Sequence, residues 1–368
     1  MSKQKVILSV TNDLVTDQRV NRVCNSLLNL NYEVLLVGRQ LKNSLPVDRK
    51  YPTKRFNLWF NNGFLFYANF NVRLFWFLLF SKSTLLWSND LDTLPANYLV
   101  SKLKGIKLVY DSHEYFTEVP ELVNRPKVQK IWQNIEQWIF PNLKNMITVS
   151  NQIAEEYTKK YKNNITVIRN LPTKAKAFYP VKNIKKEGSK LIVYQGAVNV
   201  NRGIEPLVEA MQYIKNAHLC IIGDGDVFDG IVTKVLDLKL QDKITLLGKV
   251  PFELLPHYTF QADLGVSLEE NVGLNYKYAL PNKLFDYINA GVPVLTSNLP
   301  EMEAVVVKYH VGETISSINA TTIAEKINEL LNNNEKLLLY AANCLKVKEE
   351  LCWENEEQKL YAFIKEIK

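Results

Sequence analysis

The chain is predicted to be an α/β protein of two Rossmann-like, doubly wound domains facing a cleft, and three observations carry that expectation. Short, strand-sized apolar runs alternate with longer stretches of helical spacing, as where Val20, Val23, Leu27 and Leu30 recur between two runs. The alternation is written twice, first as KVILSV, YEVLLVG, TLLWS, KLVYDS and NMITVS, then as KLIVYQG, AHLCIIGDGD, KITLLG, DLGVSL and VPVLTS. Near-continuous apolar strands separated by helices indicate parallel sheets covered on both faces. Between the two series, residues 171–189 are lysine-rich, contain Pro172 and Pro180 and lack apolar periodicity, which is the composition of a linker. The expected division is therefore 1–170, a linker at 171–189, 190–348, and a C-terminal helix at 349–368.

Length supports the division, because 368 residues exceed one ordinary core. The four cysteines, Cys24, Cys220, Cys344 and Cys352, lie far apart and form no CxxC pair, so neither a zinc knuckle nor a disulfide framework is expected. The N-terminal run turns polar at Thr11 and Asn12, too soon for a secretory signal. A cytoplasmic location is expected.

Charge is uneven: residues 1–170 hold 23 Lys/Arg against 13 Asp/Glu, whereas 171–368 hold 22 against 25. A basic first half suits an anionic surface, and membrane lipid fits better than nucleic acid because the cations are scattered and no aromatic RNA-binding signature accompanies them. Peripheral association with the inner face of a cell membrane is thus an expectation, and nucleic acid is not an expected partner. Residues 64–80, FLFYANFNVRLFWFLLF, are short for a span and contain Asn69, Asn71 and Arg73. They fit either a buried helix with an aromatic face or a helix offering aromatics to a membrane interface.

Open parallel sheets bind ligands beyond the carboxyl ends of their strands, so polar residues just after each run are the candidates. Asp17 and Arg19 precede a helix, where a guanidinium and free amides suit an anion and where Asp17 also suits a helix cap. KLVYDS delivers Asp111, His113 and Glu114 together, and His113 is expected to bond a sugar or steady a reacting oxygen. An HExxH zinc pattern is excluded by Thr117, and no metal or other cofactor is expected. The NDLD stretch at 89–92 suits a helix start or an acceptor wall better than a metal site.

In the second half, Gly196 and Gly203 bracket a loop that lets backbone approach a ligand, and Arg202 projects beside the following helix start. Gly223, Asp224 and Gly225 close the next strand with room for a base or ribose. No P-loop or GxGxxG fingerprint opens either half. In ALPNKLFDYINAG, Pro281 and Asn282 mark a helix start, and Lys283 in the first turn adds a cation where the macrodipole is already positive. That arrangement makes sense around a diphosphate, with Asp286 on the same face for ribose hydroxyls.

These residues resemble the family 4 (group 1) glycosyltransferases. The likeness rests on PNKLFDYINAGVPVLTS, on QGAVNVNRGIEPLVEA, on IIGDGD, and on YDSHEYF and DQRV. It implies a GT-B fold and a retaining, hexosyltransferase-type enzyme. A nucleotide-sugar donor would sit mainly on the second domain and a glycan or lipid-linked acceptor on the first, in surface polysaccharide or glycolipid assembly. Carried over residue by residue, Arg202 and Lys283 bind the diphosphate, Asn282 and Leu284 line the donor, His113 contacts the donor sugar, and Asp286 replaces the second glutamate of the family's paired motif. The first glutamate has no counterpart at the usual spacing, since Tyr278 stands there and the nearest acids are Glu269 and Glu270. The competing readings are a nucleotide-sugar epimerase and a catalytically silent sugar-nucleotide or glycan-binding protein.

Overall fold

The computed structural model describes residues 3–15, 17–174 and 180–367. The chain forms two compact units, Met1–Asn170 with Glu356–Lys368, and Leu171–Asn355.

The first unit is a seven-stranded parallel sheet ordered β3-β2-β1-β4-β5-β6-β7. Its strands are β1 (Lys5–Ser9), β2 (Glu33–Gln40), β3 (Thr53–Asn57), β4 (Leu85–Asn89), β5 (Lys107–Ser112), β6 (Asn145–Thr148) and β7 (Ile165–Val167). Val6, Ile7, Leu8, Leu86, Trp87 and Val109 are fully buried, as expected where helices cover both faces of a sheet. Helix α1 (Gln18–Asn29) starts where Asp17 accepts the Val20 amide at 3.0 Å, an N-cap that satisfies a free donor of the first turn. The order turns back at the pair β1 and β4, which makes their carboxyl ends the switch point of this sheet.

Helix α2 (Gly63–Phe80) is apolar around most of its circumference. Phe66, Phe70, Leu74 and Leu78 form an i, i+4 ridge that is buried in the unit, while Phe64, Val72, Trp76 and Phe80 on the opposite ridge are exposed. The helix is thus buried along one ridge and exposed along the other, so the buried-helix alternative describes one face only. Helix α3 (Asp90–Lys104) begins directly from β4, so residues of the NDLD stretch occupy its first turn.

The second unit repeats the plan with six parallel strands ordered β10-β9-β8-β11-β12-β13. These are β8 (Lys190–Gln195), β9 (Ala217–Ile222), β10 (Ile244–Gly248), β11 (Leu264–Ser267), β12 (Val294–Ser297) and β13 (Gly312–Ile315). Here the order turns back between β8 and β11. The stretch expected as a linker does not stand apart: Leu171 and Ile184 are buried in this unit's core, and the part at 175–179 lies outside the described residues.

The last helix runs Trp353–Glu366, starting four residues later than expected. From Glu356 onward it packs with the first unit, where Glu356 pairs with Arg169 at 2.9 Å and Phe363 meets Trp87 edge-on. Strands β3, β7 and β13, which the sequence reading did not anticipate, are all edge strands. Their half-exposed residues, as in TKRFN, interrupt the apolar run that marks a central strand.

Candidate functional site

In the second unit the charged cluster forms just past the carboxyl ends of β8 and β11, at the switch point. Glu269, two residues beyond β11, is fully buried and fixed by its neighbours: Ser267 Oγ donates to its Oε2 at 2.7 Å, and Ser297 Oγ donates to its carbonyl at 2.6 Å. Two cations meet at its other oxygen. Lys283 Nζ lies 2.8 Å and Arg202 Nη1 3.5 Å from Glu269 Oε1. Burial pushes the Glu269 carboxyl up, but the lysine and arginine outweigh it and hold the group below its ordinary value, so it is ionised at neutral pH. One anion between two cations leaves the cluster with a net positive charge.

The elements that bring these groups together follow from local sequence. Pro281 stands just before the helix Asn282–Asn289, the start that the PN pair predicts, and Lys283 falls in its first turn with its ammonium 4.1 Å from the Tyr194 ring centre. Arg202 comes from the loop after β8. Gly203 holds φ +67°, and a Cβ there would stand 2.1 Å from the Leu268 carbonyl oxygen, so only glycine allows the Arg202 loop to lie against the strand end that carries Glu269. The Glu270 amide donates to the Asn201 carbonyl at 3.0 Å and closes the same contact. The Arg202 guanidinium sits 5.0 Å from the Tyr276 ring centre and keeps 30% of its side-chain surface exposed.

Several expected roles change. Gly203 makes room for the protein's own backbone at Leu268. Gly223 and Gly225 likewise pack against the preceding loop, since a Cβ would strike Gly196 O at 1.8 Å and Asn199 Oδ1 at 2.2 Å respectively. Gly196 alone of this group has open space at its Cβ position, with φ +119°. Asp224 is exposed and accepts the Gly225 amide at 2.8 Å. Leu284 is fully buried in the core, so its side chain lines no donor; Asn282, beside it, is exposed. Asp286 accepts a hydrogen bond from Gln195 Nε2 at 3.0 Å, and Gln195 in turn accepts from Thr259 at 2.6 Å. Glu269 is the group sequence reasoning did not commit to. Its signal was an acid right after an apolar strand, hidden by a longer loop than the usual spacing.

In the first unit a second charged cluster lies past the ends of β1, β4 and β5. His113 Nδ1 stands 3.3 Å from Asp90 Oδ2, the His113 amide donates to Asp90 Oδ1 at 2.8 Å, and His113 Nε2 lies 3.6 Å from Asp111 Oδ2. Burial lowers the imidazole's proton affinity, yet the two carboxylates override it and raise its pKa to about 9, so the ring is an imidazolium at neutral pH. Asp90 holds φ +56°, a costly value for a non-glycine residue of the kind found where a side chain must be aimed. Thr11 Oγ1 donates to Asp92 Oδ2 at 2.5 Å. Burial and the neighbouring Asp90 raise Asp92 to about 7, and burial with Asp90 raises Glu114 to about 8.

Two expectations are corrected in this unit. Arg19 does not face an anion from solvent: it is 2% exposed, its Nη2 donates to Asp111 Oδ1 at 2.7 Å, and its Nη1 donates to the Ile168 carbonyl at 2.8 Å. Asp111 does not meet solvent either. It is fully buried, and although burial pushes its carboxyl up, Arg19 and His113 pull it down to about 2. Asp17 is the helix cap already described and also accepts from Asn12 at 2.8 Å. Asp90, read in the sequence as a helix start or an acceptor wall, does open α3 and is also the partner of both the His113 amide and its Nδ1.

Residues 17–171 match the family described as Glycosyltransferase Family 4, and residues 175–344 match the family described as Glycosyl transferases group 1. An uncharacterized glycosyltransferase of Methanocaldococcus jannaschii is 24% identical over 255 residues, 67% of this chain, and the match spans just over half (56%) of that relative's length. Among solved structures, a sucrose-phosphate synthase from Thermosynechococcus elongatus superposes with a TM-score of 0.83 at 17% identity, covering 99% of this chain and 98% of that one. HepE of Anabaena, solved in complex with UDP and glucose, superposes with a TM-score of 0.74 at 13% identity, covering 99% and 100%. A glycosyltransferase from Rickettsia africae gives 0.74 at 15% identity, covering 100% and 99%. The two profile matches cover nearly the whole chain in the order of its two sheets, and the chain belongs to the group 1 glycosyltransferases, with a first unit of the family 4 type and a GT-B fold.

Proposed function

We propose that the protein is a retaining glycosyltransferase that takes a sugar from a nucleoside-diphosphate donor held by its second unit. The observation that carries this reading is the meeting of Arg202 and Lys283 at one oxygen of buried Glu269. A cluster with excess positive charge, partly open at Arg202 and beside the uncrowded backbone of Gly196, suits two adjacent phosphates. Family membership supports the reading, as does the binding of UDP and glucose by the similarly folded HepE.

In the proposed reaction the bond between the anomeric carbon and the β-phosphate oxygen breaks while the acceptor hydroxyl attacks from the same face. The hydroxyl proton passes to the departing phosphate oxygen, so no protein nucleophile is needed. The chain's contribution is to orient the donor and to stabilise charge on the leaving diphosphate with groups fixed before the reaction. Those cations supply the charge a divalent metal would otherwise bring, and the proposed reaction is metal-independent. In the first unit, the imidazolium of His113 and the carboxylates around it offer donors and acceptors for sugar hydroxyls, and we assign that cluster to carbohydrate binding. The acceptor class we propose is a glycan or a lipid-linked sugar.

Incubation with a panel of nucleotide-sugars tests the proposal. Slow release of nucleoside diphosphate without acceptor, and a product of unchanged anomeric configuration with one, are expected. A new nucleotide-linked epimer, or donor binding with neither hydrolysis nor transfer across an acceptor panel, would overturn it.

A further inference from the structure

The exposed ridge of α2 has no role in the donor site or in the core. Trp76 is 53% and Phe80 79% exposed, and their rings stack with centres 5.9 Å apart and an interplanar angle of 13°. Phe64 and Val72 continue the ridge, and Trp59, just before the helix, is 79% exposed with the Arg73 guanidinium 4.9 Å from its ring centre. Large aromatic surfaces left in water are costly, and a contiguous set on one helix marks an interaction surface.

The charge of the segment that carries this ridge selects the partner. Between Asp48 and Asp90 the chain carries Arg49, Lys50, Lys54, Arg55, Arg73 and Lys82 and not one carboxylate. Lys54 and Lys82 are exposed. Lys104 reaches the carboxyl end of α2, donating to the carbonyls of Leu78, Leu79 and Ser81 at 3.3, 3.1 and 2.5 Å, and adds another cation beside Phe80. Indole and phenyl rings on a helix that carries Arg73, is followed by Lys82 and receives Lys104 at its carboxyl end match the boundary of an anionic bilayer, where rings enter the headgroup layer and lysines meet lipid phosphates.

Composition and length alone would also let α2 cross a membrane. The structure argues otherwise, because Phe66, Phe70, Leu74 and Leu78 are committed to the unit's own core and a spanning helix would have to abandon them. We infer that α2 lies flat on an anionic lipid bilayer, inserting Trp76 and Phe80 at the interface while its opposite ridge stays in the first unit.

Co-sedimentation of the full chain with vesicles tests this inference. Vesicles of phosphatidylcholine with about one third phosphatidylglycerol should capture the protein at low salt, pure phosphatidylcholine should capture much less, and raised salt should release it. The double variant Trp76→Ser/Phe80→Ser should reduce capture about tenfold or more, and Lys54→Glu/Lys82→Glu about tenfold, with unchanged melting temperatures because all four side chains are exposed. Failure of the wild type to bind the anionic vesicles would overturn the inference. So would protein retained in the membrane after alkaline extraction, which a spanning helix would give. A doubled mass by light scattering without vesicles, reverting to monomer in Trp76→Ser/Phe80→Ser, would assign the ridge to a second copy of this chain instead. None of these variants touches the donor cluster, so their outcome is independent of the proposed transfer reaction.

Discussion

Lys283 Nζ lies 2.8 Å from Glu269 Oε1, and Arg202 approaches that same oxygen, so a single buried carboxylate draws together two cations from distant parts of the sequence. Glu269 acts as an internal counterion. It keeps the cations close without a ligand, at the cost of competing with any anion that arrives.

Removing the lysine tests its part in the reaction. Lys283→Ala is expected to lower the transfer rate at least ~100-fold, the scale seen when one preorganised charge-stabilising donor is lost. Steady-state kinetics with a nucleotide-sugar would measure it, and near-normal turnover would remove Lys283 from the proposed mechanism.

Neutralising the counterion should act in the opposite sense on binding. Glu269→Gln keeps the shape and an acceptor but leaves two cations uncompensated, so the unliganded protein should lose roughly 1–3 kcal/mol of stability. Nucleoside diphosphate should bind the variant more tightly than the wild type, since no internal anion competes. Denaturant unfolding and calorimetry check the two halves separately.

Breaking the buried pair in the first unit should be costlier. Arg19→Met strands a fully buried Asp111 carboxylate, and a loss of about 3–5 kcal/mol is expected from unfolding curves. Arg19→Met/Asp111→Asn should recover part of it, because no bare charge then remains inside.

The pH dependence of the first unit follows from its raised groups. His113, raised to about 9, contributes stability that is fully present below the ordinary histidine value near 6.5 and is lost as pH rises through about 9. Asp92, raised to about 7, and Glu114, raised to about 8, have the same sign: the folded state holds their protons longer than the unfolded state does, so ionising them on the way up lowers stability. Stability should therefore fall from mildly acidic pH toward pH 9. His113→Gln should flatten the part of the curve between about 6.5 and 9.

The architecture was legible because central parallel strands are buried on both faces and write themselves as apolar runs, as KLIVYQ and KLVYDS do. Edge strands such as TKRFN carry no such signature. At the site, Lys283 and Arg202 could be named from the sequence because a cation in a first helical turn and one beside a glycine loop are locally anomalous. Glu269 could not be assigned, since its role depends on two strand ends and a glycine contact that bring it beside residues far along the chain. Arg19 misled for the complementary reason: its position after a cap suggested solvent, and only the sheet's packing shows that Asp111 lies beneath it.

Calorimetric titration of nucleoside diphosphates, one for each common base and without divalent metal, tests the central claim most directly. At least one should bind the wild type, and Arg202→Ala and Lys283→Ala should each weaken it about tenfold or more. Binding of equal strength to the Arg202→Ala/Lys283→Ala double variant would contradict the assignment of these cations to the donor's phosphates.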